Sequence, residues 1–381
     1  MEARRITLIV LVAAMLLPVT SVLFSDDSDA AGEFDHYYFN QLTDNQKIIY
    51  NAMYDAYFET PVEPSPGAVL GVEGYYLTLD VAGYTLSASS TDVLSKMVVT
   101  DAQIAWQATM LDLPMAWWTW STDDAGWAIP AAGVTVSGAS ITEFTFKIRI
   151  DSAFVTDGRT VTSCVSETKA AFDELIASGE IEGDDTLALI KSMNSYLCSS
   201  DFKYDTESTF TGNVYGALVV KDGDAHHISC MGYSKLFKML CEKYGIDCVN
   251  VIGAAVQGSG APEGHMWNVV RITIDGSPEV LGVDTTFNDT CGDKMAFLLC
   301  GYSDESEGNS FIMTHQAFVA IYGATIAPFY FQSPELSEDG YSYPSDGGII
   351  ELLSTYLPWI LMGIICAILA VVLLSIARRG D

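Results

Sequence analysis

The spacing of apolar residues predicts a chain that contains both helices and strands. Thr43 and Gln46 form the pattern of a capping box, which predicts a helix that continues to about Phe58. Residues 68–86 and 141–150 alternate apolar and polar positions, as half-buried strands do. Apolar residues at helical spacing predict further helices over 91–111, 163–177 and 186–197.

The segment that starts at Cys230 has the pattern of an amphipathic helix. Cys230 lies in the predicted first turn, where backbone N–H groups and the helix dipole stabilise a thiolate. We therefore predict that Cys230 is a nucleophile, and the structural alternative is a small buried residue at a helix entrance. Gly245 suits the position just after the helix. The apolar stripe is Tyr233, Leu236, Phe237, Leu240, Cys241 and Tyr244.

Two later segments are predicted to form a hairpin that brings a histidine near an aspartate. Asp275-Gly276 is a strong signal for a two-residue turn between a strand that begins at His265 and a strand that ends at Asp284. With this turn, Asp284 lies opposite Trp267, and His265 is its diagonal neighbour at roughly 7–8 Å. That spacing fits an aspartate that orients a histidine, and the alternative is a structural histidine. The histidines nearest to the cysteine in sequence are His226 and His227.

The two ends of the chain predict export and membrane anchoring. Residues 1–31 combine a basic start, an apolar run and small residues, which predicts a signal peptide or an N-terminal anchor. Residues 355–377 predict a transmembrane helix, and the basic tail 378–381 places the C-terminus in the cytoplasm. Residues 332–348 are polar and rich in Gly and Pro, as a stalk would be. We therefore predict a single-pass cell-membrane protein whose bulk is extracytoplasmic.

The composition narrows the classes of function. Apolar residues make up 49% of the chain, which is enough for a sizeable core. With 18 Lys and Arg against 49 Asp and Glu, the formal net charge is −31, which argues against nucleic acid as a partner and favours cations or basic partners. Apart from Cys230 and Cys366, six of the eight cysteines could form up to three disulfides in an oxidising compartment. Their spacing suggests no structural zinc site.

Three short motifs resemble the core of transglutaminase-like domains. They are Cys230-Met-Gly-Tyr, His265-Met-Trp-Asn and Asp284-Thr-Thr-Phe, in the order and spacing that these domains show. Residues 39–50 and 105–118 are also similar to segments of prokaryotic members, and the resemblance is firmest over 186–290. Phe287 stands where these domains usually have tryptophan.

The resemblance implies an α+β protein with a transglutaminase-like, papain-like fold. The catalytic domain is expected at 163–325, after a mixed α/β region at 34–150. It implies a triad in which Cys230 attacks an amide carbonyl, His265 moves the proton and Asp284 holds the imidazole, with no metal or organic cofactor. The expected activity is thiol-dependent acyl transfer on a peptide or protein at the cell surface, with hydrolysis of a peptide or isopeptide bond favoured. Two alternatives stay open: a catalytically idle adhesion or scaffold protein, and a cross-linking transglutaminase.

Overall fold

The computed structural model describes most of the chain between residues 34 and 343. The described ranges are 34–59, 63–69, 71–87, 91–119, 126–128, 134–137, 140–257, 263–290, 293–302, 309–312 and 331–343. The predicted segments 1–31, 355–377 and 378–381 lie outside them, so the signal or anchor, the transmembrane helix and the cytoplasmic tail stay predictions. No helix within the described ranges is long and apolar enough to cross a membrane.

The N-terminal region joins three helices to an antiparallel sheet. Sheet order is β1-β2-β5-β3, with β4 also paired to β5, and the second helix packs on β2 and on the third helix. The Thr43–Gln46 capping box is confirmed by reciprocal hydrogen bonds of 3.4 and 3.0 Å. The elements are α1 (Tyr37–Asn40), α2 (Asp44–Tyr54, continued by a π-helical turn at Asp55–Glu59), β1 (Ser65–Val69), β2 (Val72–Ser87), α3 (Thr91–Asp112, followed by a 3₁₀ turn at Pro114–Thr119), β3 (Gly126–Ala128), β4 (Val134–Ser137) and β5 (Ser140–Ile150).

The C-terminal region is built around one buried helix. A second antiparallel sheet has the order β11-β10-β9-β8-β12, and β6 and β7 form a separate parallel pair. The elements are a 3₁₀ turn (Ser152–Phe154), α4 (Val161–Ser178), α5 (Thr186–Leu197), β6 (Phe202–Tyr204), α6 (Val214–Leu218), β7 (His226–Ile228), α7 (Cys230–Lys243), β8 (Asp247–Gln257), β9 (Glu263–Ile274), β10 (Ser277–Val283), α8 (Thr285–Thr290), β11 (Leu298–Cys300) and β12 (Asn309–Ile312). The mixed α and β class is therefore confirmed.

The helix α7 differs from the expectation of a single apolar stripe. All ten residues from Gly232 to Cys241 are buried, including Lys235 and Lys238. The reason is its central place: α7 packs on β8 and β9 at one side, and α5, α6 and α8 contact it elsewhere. A helix enclosed in this way has no solvated face over these turns, whatever its residue types.

The described residues up to Gly340 belong to one compact unit, and a second unit begins at Tyr341. Within the first unit, Tyr38 links the two regions, because its hydroxyl donates to the Asn250 carbonyl at 2.6 Å. The Asn250 amide in turn donates to the Leu111 carbonyl at 3.0 Å. The segment predicted as a stalk contains neither helix nor strand over its described part, 332–343, and Ser337 pairs with Val280 of β10. The predicted domain and stalk bounds stay predictions.

The described cysteines are free thiols. They are Cys164, Cys198, Cys230, Cys241, Cys248 and Cys300. Cys291 and Cys366 lie outside the described residues, and none of the expected disulfides joins two described cysteines.

Replacing Asp112 by alanine should destabilise the protein by about 3 kcal/mol. Asp112 is 5% exposed, and its carboxylate accepts the backbone N–H groups of Tyr38 at 3.1 Å and Phe39 at 2.8 Å. Alanine would leave these donors without their partner inside the protein. Urea unfolding of the full chain checks this, with Asp173→Ala at an exposed position of α4 as the control. Equal midpoints for the two variants would contradict the assigned role.

Candidate active site

Cys230 is placed by a strand that runs directly into a helix. β7 ends at Ile228, Ser229 is the N-cap residue with extended backbone, and Cys230 is the first residue of α7. Ser229 makes no capping bond with its side chain, because its hydroxyl lies toward the Thr211 carbonyl at 3.4 Å. The first-turn amides are therefore not capped by Ser229 and are oriented toward any anion at this end of the helix.

Gly232, the third residue of the Cys-x-Gly-Tyr motif, is required by close packing. A Cβ atom at this position would lie 2.5 Å from the Thr211 carbonyl oxygen and 2.9 Å from the Ile228 Cβ. The glycine thus lets the loop at Thr211 approach the first turn of α7 closely. This contact fixes the surroundings of Cys230.

The hairpin of β9 and β10 has the predicted turn and register. Asp275 and Gly276 both have positive φ, 51° and 83°, as a type I′ turn requires. The pairing runs to Val283 opposite Asn268. The prediction that Asp284 lies opposite Trp267 is corrected in one respect: the ladder ends one residue earlier, because Asp284 leaves the strand to begin α8.

His265 and Asp284 meet in a short hydrogen bond. His265 Nε2 lies 2.5 Å from Asp284 Oδ2, and the two residues are only 7% and 1% exposed. The second carboxylate oxygen, Oδ1, accepts the Phe287 backbone N–H at 2.9 Å. Asp284 therefore both caps α8 and binds the imidazole, so that the helix start holds the carboxylate in place.

Two aromatic rings stack on the imidazole of His265. The Phe287 ring stacks on it with centroids 4.5 Å apart and planes 13° apart, and the Trp267 ring lies at 5.9 Å. Phe287 thus places an aromatic ring at the position where transglutaminase-like domains usually have tryptophan. Stacking of this kind limits the ring to the plane in which it can reach both Asp284 and Cys230.

Cys230 lies close enough to His265 to act on the pKa of its imidazole. Because Asp284 holds Nε2, the nitrogen left for the sulfur is Nδ1. Burial opposes protonation of His265, but the charge and hydrogen bond of Asp284, together with Cys230, outweigh burial and raise the pKa of His265 to about 10. The imidazole is thus positively charged at neutral pH, next to a half-buried sulfur. This arrangement can hold a thiolate–imidazolium pair.

The two histidines nearest to Cys230 in sequence have other partners. His226 is buried, its Nδ1 lies 3.0 Å from the Gly216 carbonyl oxygen, and its ring stacks on Phe202. His227 Nδ1 lies 3.0 Å from Asp205 Oδ2. Neither histidine therefore replaces His265 as the partner of the sulfur.

Two residues near the sulfur were not found by sequence reasoning. Tyr204, 47% exposed, ends β6 and pairs with Ile228, two residues before Cys230. Burial and then the charges of Cys230, Glu263 and Asp284 raise the pKa of Tyr204 to about 12. Lys235 is buried below Cys230 in the same helix. A three-residue strand and a lysine inside a helix carry no recognisable signal. Among the described residues, no group of three His, Cys, Asp or Glu side chains could hold a metal ion.

Comparisons with known proteins give distant structural similarity. No family model matches the chain, and no curated protein matches it. The periplasmic domain of TgpA from Pseudomonas aeruginosa bound to ethylmercury is similar at 14% identity, over 56% of this chain and 72% of that chain, with a TM-score of 0.24. A candidate cysteine protease from Cytophaga hutchinsonii is similar at 12% identity, over 43% of this chain and 63% of that chain, with a TM-score of 0.21. At these values, function has to be inferred from the geometry of the site.

Proposed function

We propose that this protein is a thiol-dependent acyl transferase that hydrolyses peptide or isopeptide bonds through Cys230, His265 and Asp284. The observation that carries the proposal is that the fold groups these three side chains. Asp284 Oδ2 lies 2.5 Å from His265 Nε2, and Cys230, at the start of α7, lies close enough to raise the pKa of the same imidazole. A nucleophile, a proton carrier and a group that orients the carrier are the parts that this chemistry needs.

In the first half of the proposed reaction, the Cys230 thiolate attacks the amide carbonyl carbon and a C–S bond forms. The carbonyl oxygen becomes negatively charged and lies near the backbone N–H of Cys230 at the helix start. His265 then donates its proton to the leaving amine, and the C–N bond breaks. The products are the free amine and a thioester on Cys230.

In the second half, water attacks the thioester carbonyl while His265 takes a proton from it. The C–S bond breaks, the carboxylic acid product leaves, and Cys230 and the imidazolium are restored. Asp284 keeps the imidazole in one orientation throughout, with its carboxylate held by the Phe287 N–H. No redox partner enters this balance, because water supplies the hydroxyl group of the product.

The proposed substrate is a peptide or protein at the cell surface. The chain would be held there by residues 355–377, with its bulk outside the cytoplasm and its C-terminus inside. The net charge of −31 favours basic substrates and repels nucleic acid. Long-range attraction of this kind weakens as salt is added, because counterions screen it.

Iodoacetamide labelling at Cys230 should show an activated thiol that depends on His265. The full chain in detergent is labelled from pH 4 to 9, and mass spectrometry reports each cysteine. At pH 6, Cys230 should react about 100-fold faster than in the urea-unfolded chain, because an unperturbed thiol ionises only near pH 8.5. His265→Ala should remove this faster labelling. His227→Ala should keep it, because the His227 side chain pairs with Asp205 and not with the sulfur.

Peptide hydrolysis by the same proteins completes the test. Cys230→Ala should abolish any cleavage found in a library of short basic peptides. The proposal fails if wild-type Cys230 reacts no faster than the unfolded chain, or if His265→Ala and His227→Ala label alike.

A further inference from the structure

The helix α7 contains two buried lysines with different surroundings. Lys238 is 6% exposed, and its Nζ lies 2.9 Å from Glu242 Oε1 and 2.8 Å from the Cys248 carbonyl oxygen. Lys235 is 1% exposed, and its Nζ donates to the Gly212 carbonyl at 3.3 Å. No carboxylate of the described residues contacts Lys235. A buried ammonium without a counter-ion is costly, so its place in the fold calls for an explanation.

Lys235 is bound at a loop that lies close to Cys230. Its acceptor, Gly212, lies against the two residues that flank Cys230. A Cβ atom at Gly212 would be 3.2 Å from Met231 Cε and 3.8 Å from Ser229 Oγ. Lys235 lies five residues after Cys230 in the same helix, and helical side chains lean toward the N-terminus, so its ammonium reaches back toward the first turn. The ammonium therefore lies beside the loop at Gly212, which packs on the residues that flank Cys230.

Electrostatics point to the same pair. Burial lowers the pKa of Lys235 to about 8, and Cys230 is the group whose negative charge opposes this shift. His265, on β9, approaches the same sulfur from another element. Among the described residues, Cys230 is the one group that raises the pKa of Lys235 against the effect of burial.

We propose that Lys235 is a positioning residue that holds Cys230 as a thiolate from inside the protein, while His265 acts from the substrate side. This inference rests on the proposed function of Cys230. It gives the buried Lys235 ammonium a counter-ion, Cys230, where no described carboxylate contacts it. The two lysines thus have different roles. Lys238 forms an ion pair with Glu242 and stabilises the fold, whereas Lys235 acts on Cys230.

The test is the rate of iodoacetamide labelling at Cys230 in Lys235→Met and Lys235→Gln, measured on the full chain in detergent. At pH 6, both variants should label about tenfold more slowly than wild type, because a neutral side chain no longer favours the thiolate. At pH 9.5 the difference should fall to less than about twofold, because wild-type Lys235 has lost its own proton there. Lys238→Met is the matched control, and its labelling at Cys230 should stay within about twofold of wild type at both pH values.

Urea unfolding shows that the variants keep the fold. Lys235→Met should be as stable as wild type or more stable, because an apolar side chain replaces a buried charge. The inference is overturned if wild-type Cys230 is activated but both Lys235 variants label like wild type at pH 6. It is also overturned if they are slower by the same factor at both pH values, which indicates a general disturbance. Wild-type labelling no faster than the unfolded chain would instead overturn the proposed function, and this inference with it.

Discussion

Replacing Asp284 by asparagine should lower the rate of amide-bond cleavage by about 10³- to 10⁴-fold, an effect known for triads whose carboxylate is changed to an amide. Asparagine can keep Oδ1 as the acceptor of the Phe287 N–H at 2.9 Å, so the start of α8 is preserved. At the other position it presents an NH₂ group to His265 Nε2, which now lies 2.5 Å from a carboxylate oxygen. The imidazole then loses both its orientation and the charge that keeps it protonated.

This variant separates the proposed enzyme from the scaffold alternative. As a helix cap, Asp284 has a structural use that needs no catalysis. Asp185 is a matched control, because it is an exposed N-cap aspartate that accepts the Ala188 N–H at 2.7 Å and lies at the start of α5. Asp185→Asn should leave cleavage and labelling unchanged. A cleavage rate of Asp284→Asn within about tenfold of wild type would show that Asp284 is only a helix cap. That result would support the alternative of an adhesion or scaffold protein.

The stability that the His265–Asp284 pair contributes should depend strongly on pH. The pKa of His265 is raised to about 10 in the folded protein, against about 6.5 for an unperturbed histidine. A group whose pKa is raised on folding stabilises the protein fully below its unfolded pKa, and this contribution is lost as the pH rises through the folded value. The contribution is therefore complete below about pH 6.5 and is lost as the pH rises through about 10.

Urea unfolding of wild type and Asp284→Asn at pH 6 and pH 10.5 measures this effect. At pH 6 the variant should be less stable by about 3–5 kcal/mol, as for other broken buried pairs. At pH 10.5 the difference should shrink to about 1 kcal/mol or less, because the wild-type imidazole is then neutral. The titration of Lys235 is common to both proteins and cancels in the difference. A difference that is equal at both pH values would mean that His265 is already neutral at pH 6.

Both predictions concern His265 and Asp284, whose contact follows from the geometry of one turn. The Asp275-Gly276 turn determines the register of β9 against β10, because a type I′ turn leaves no other pairing of its flanking residues. That register brings Asp284 within reach of His265. In the same way, the capping box at Thr43 and the start of α7 at Cys230 depend on neighbours in sequence, and each was predictable from the chain.

The approach of Cys230 to His265 depends on tertiary structure instead. The two residues are brought together because α7 packs on β9. The Ser234 hydroxyl donates to the Met266 carbonyl at 2.9 Å, and the Asn268 amide donates to the Ser234 carbonyl at 3.0 Å. Sequence could name the residue types, but it left His226 and His227 as competitors, and only the packing of these two elements excludes them.

The sequence by itself thus determined where the helices and the hairpin form, and that Asp284 comes within reach of His265. Only the tertiary structure decided which elements approach Cys230, and that Lys235 is buried. The periodicity of α7 leaves this lysine on a side that would be polar in an isolated helix, yet it is buried in a helix that α5, α6 and α8 contact. The physical reason is that hydrogen-bonded turns and periodicity act over a few residues, whereas burial and electrostatic pairing depend on elements that are distant in the chain.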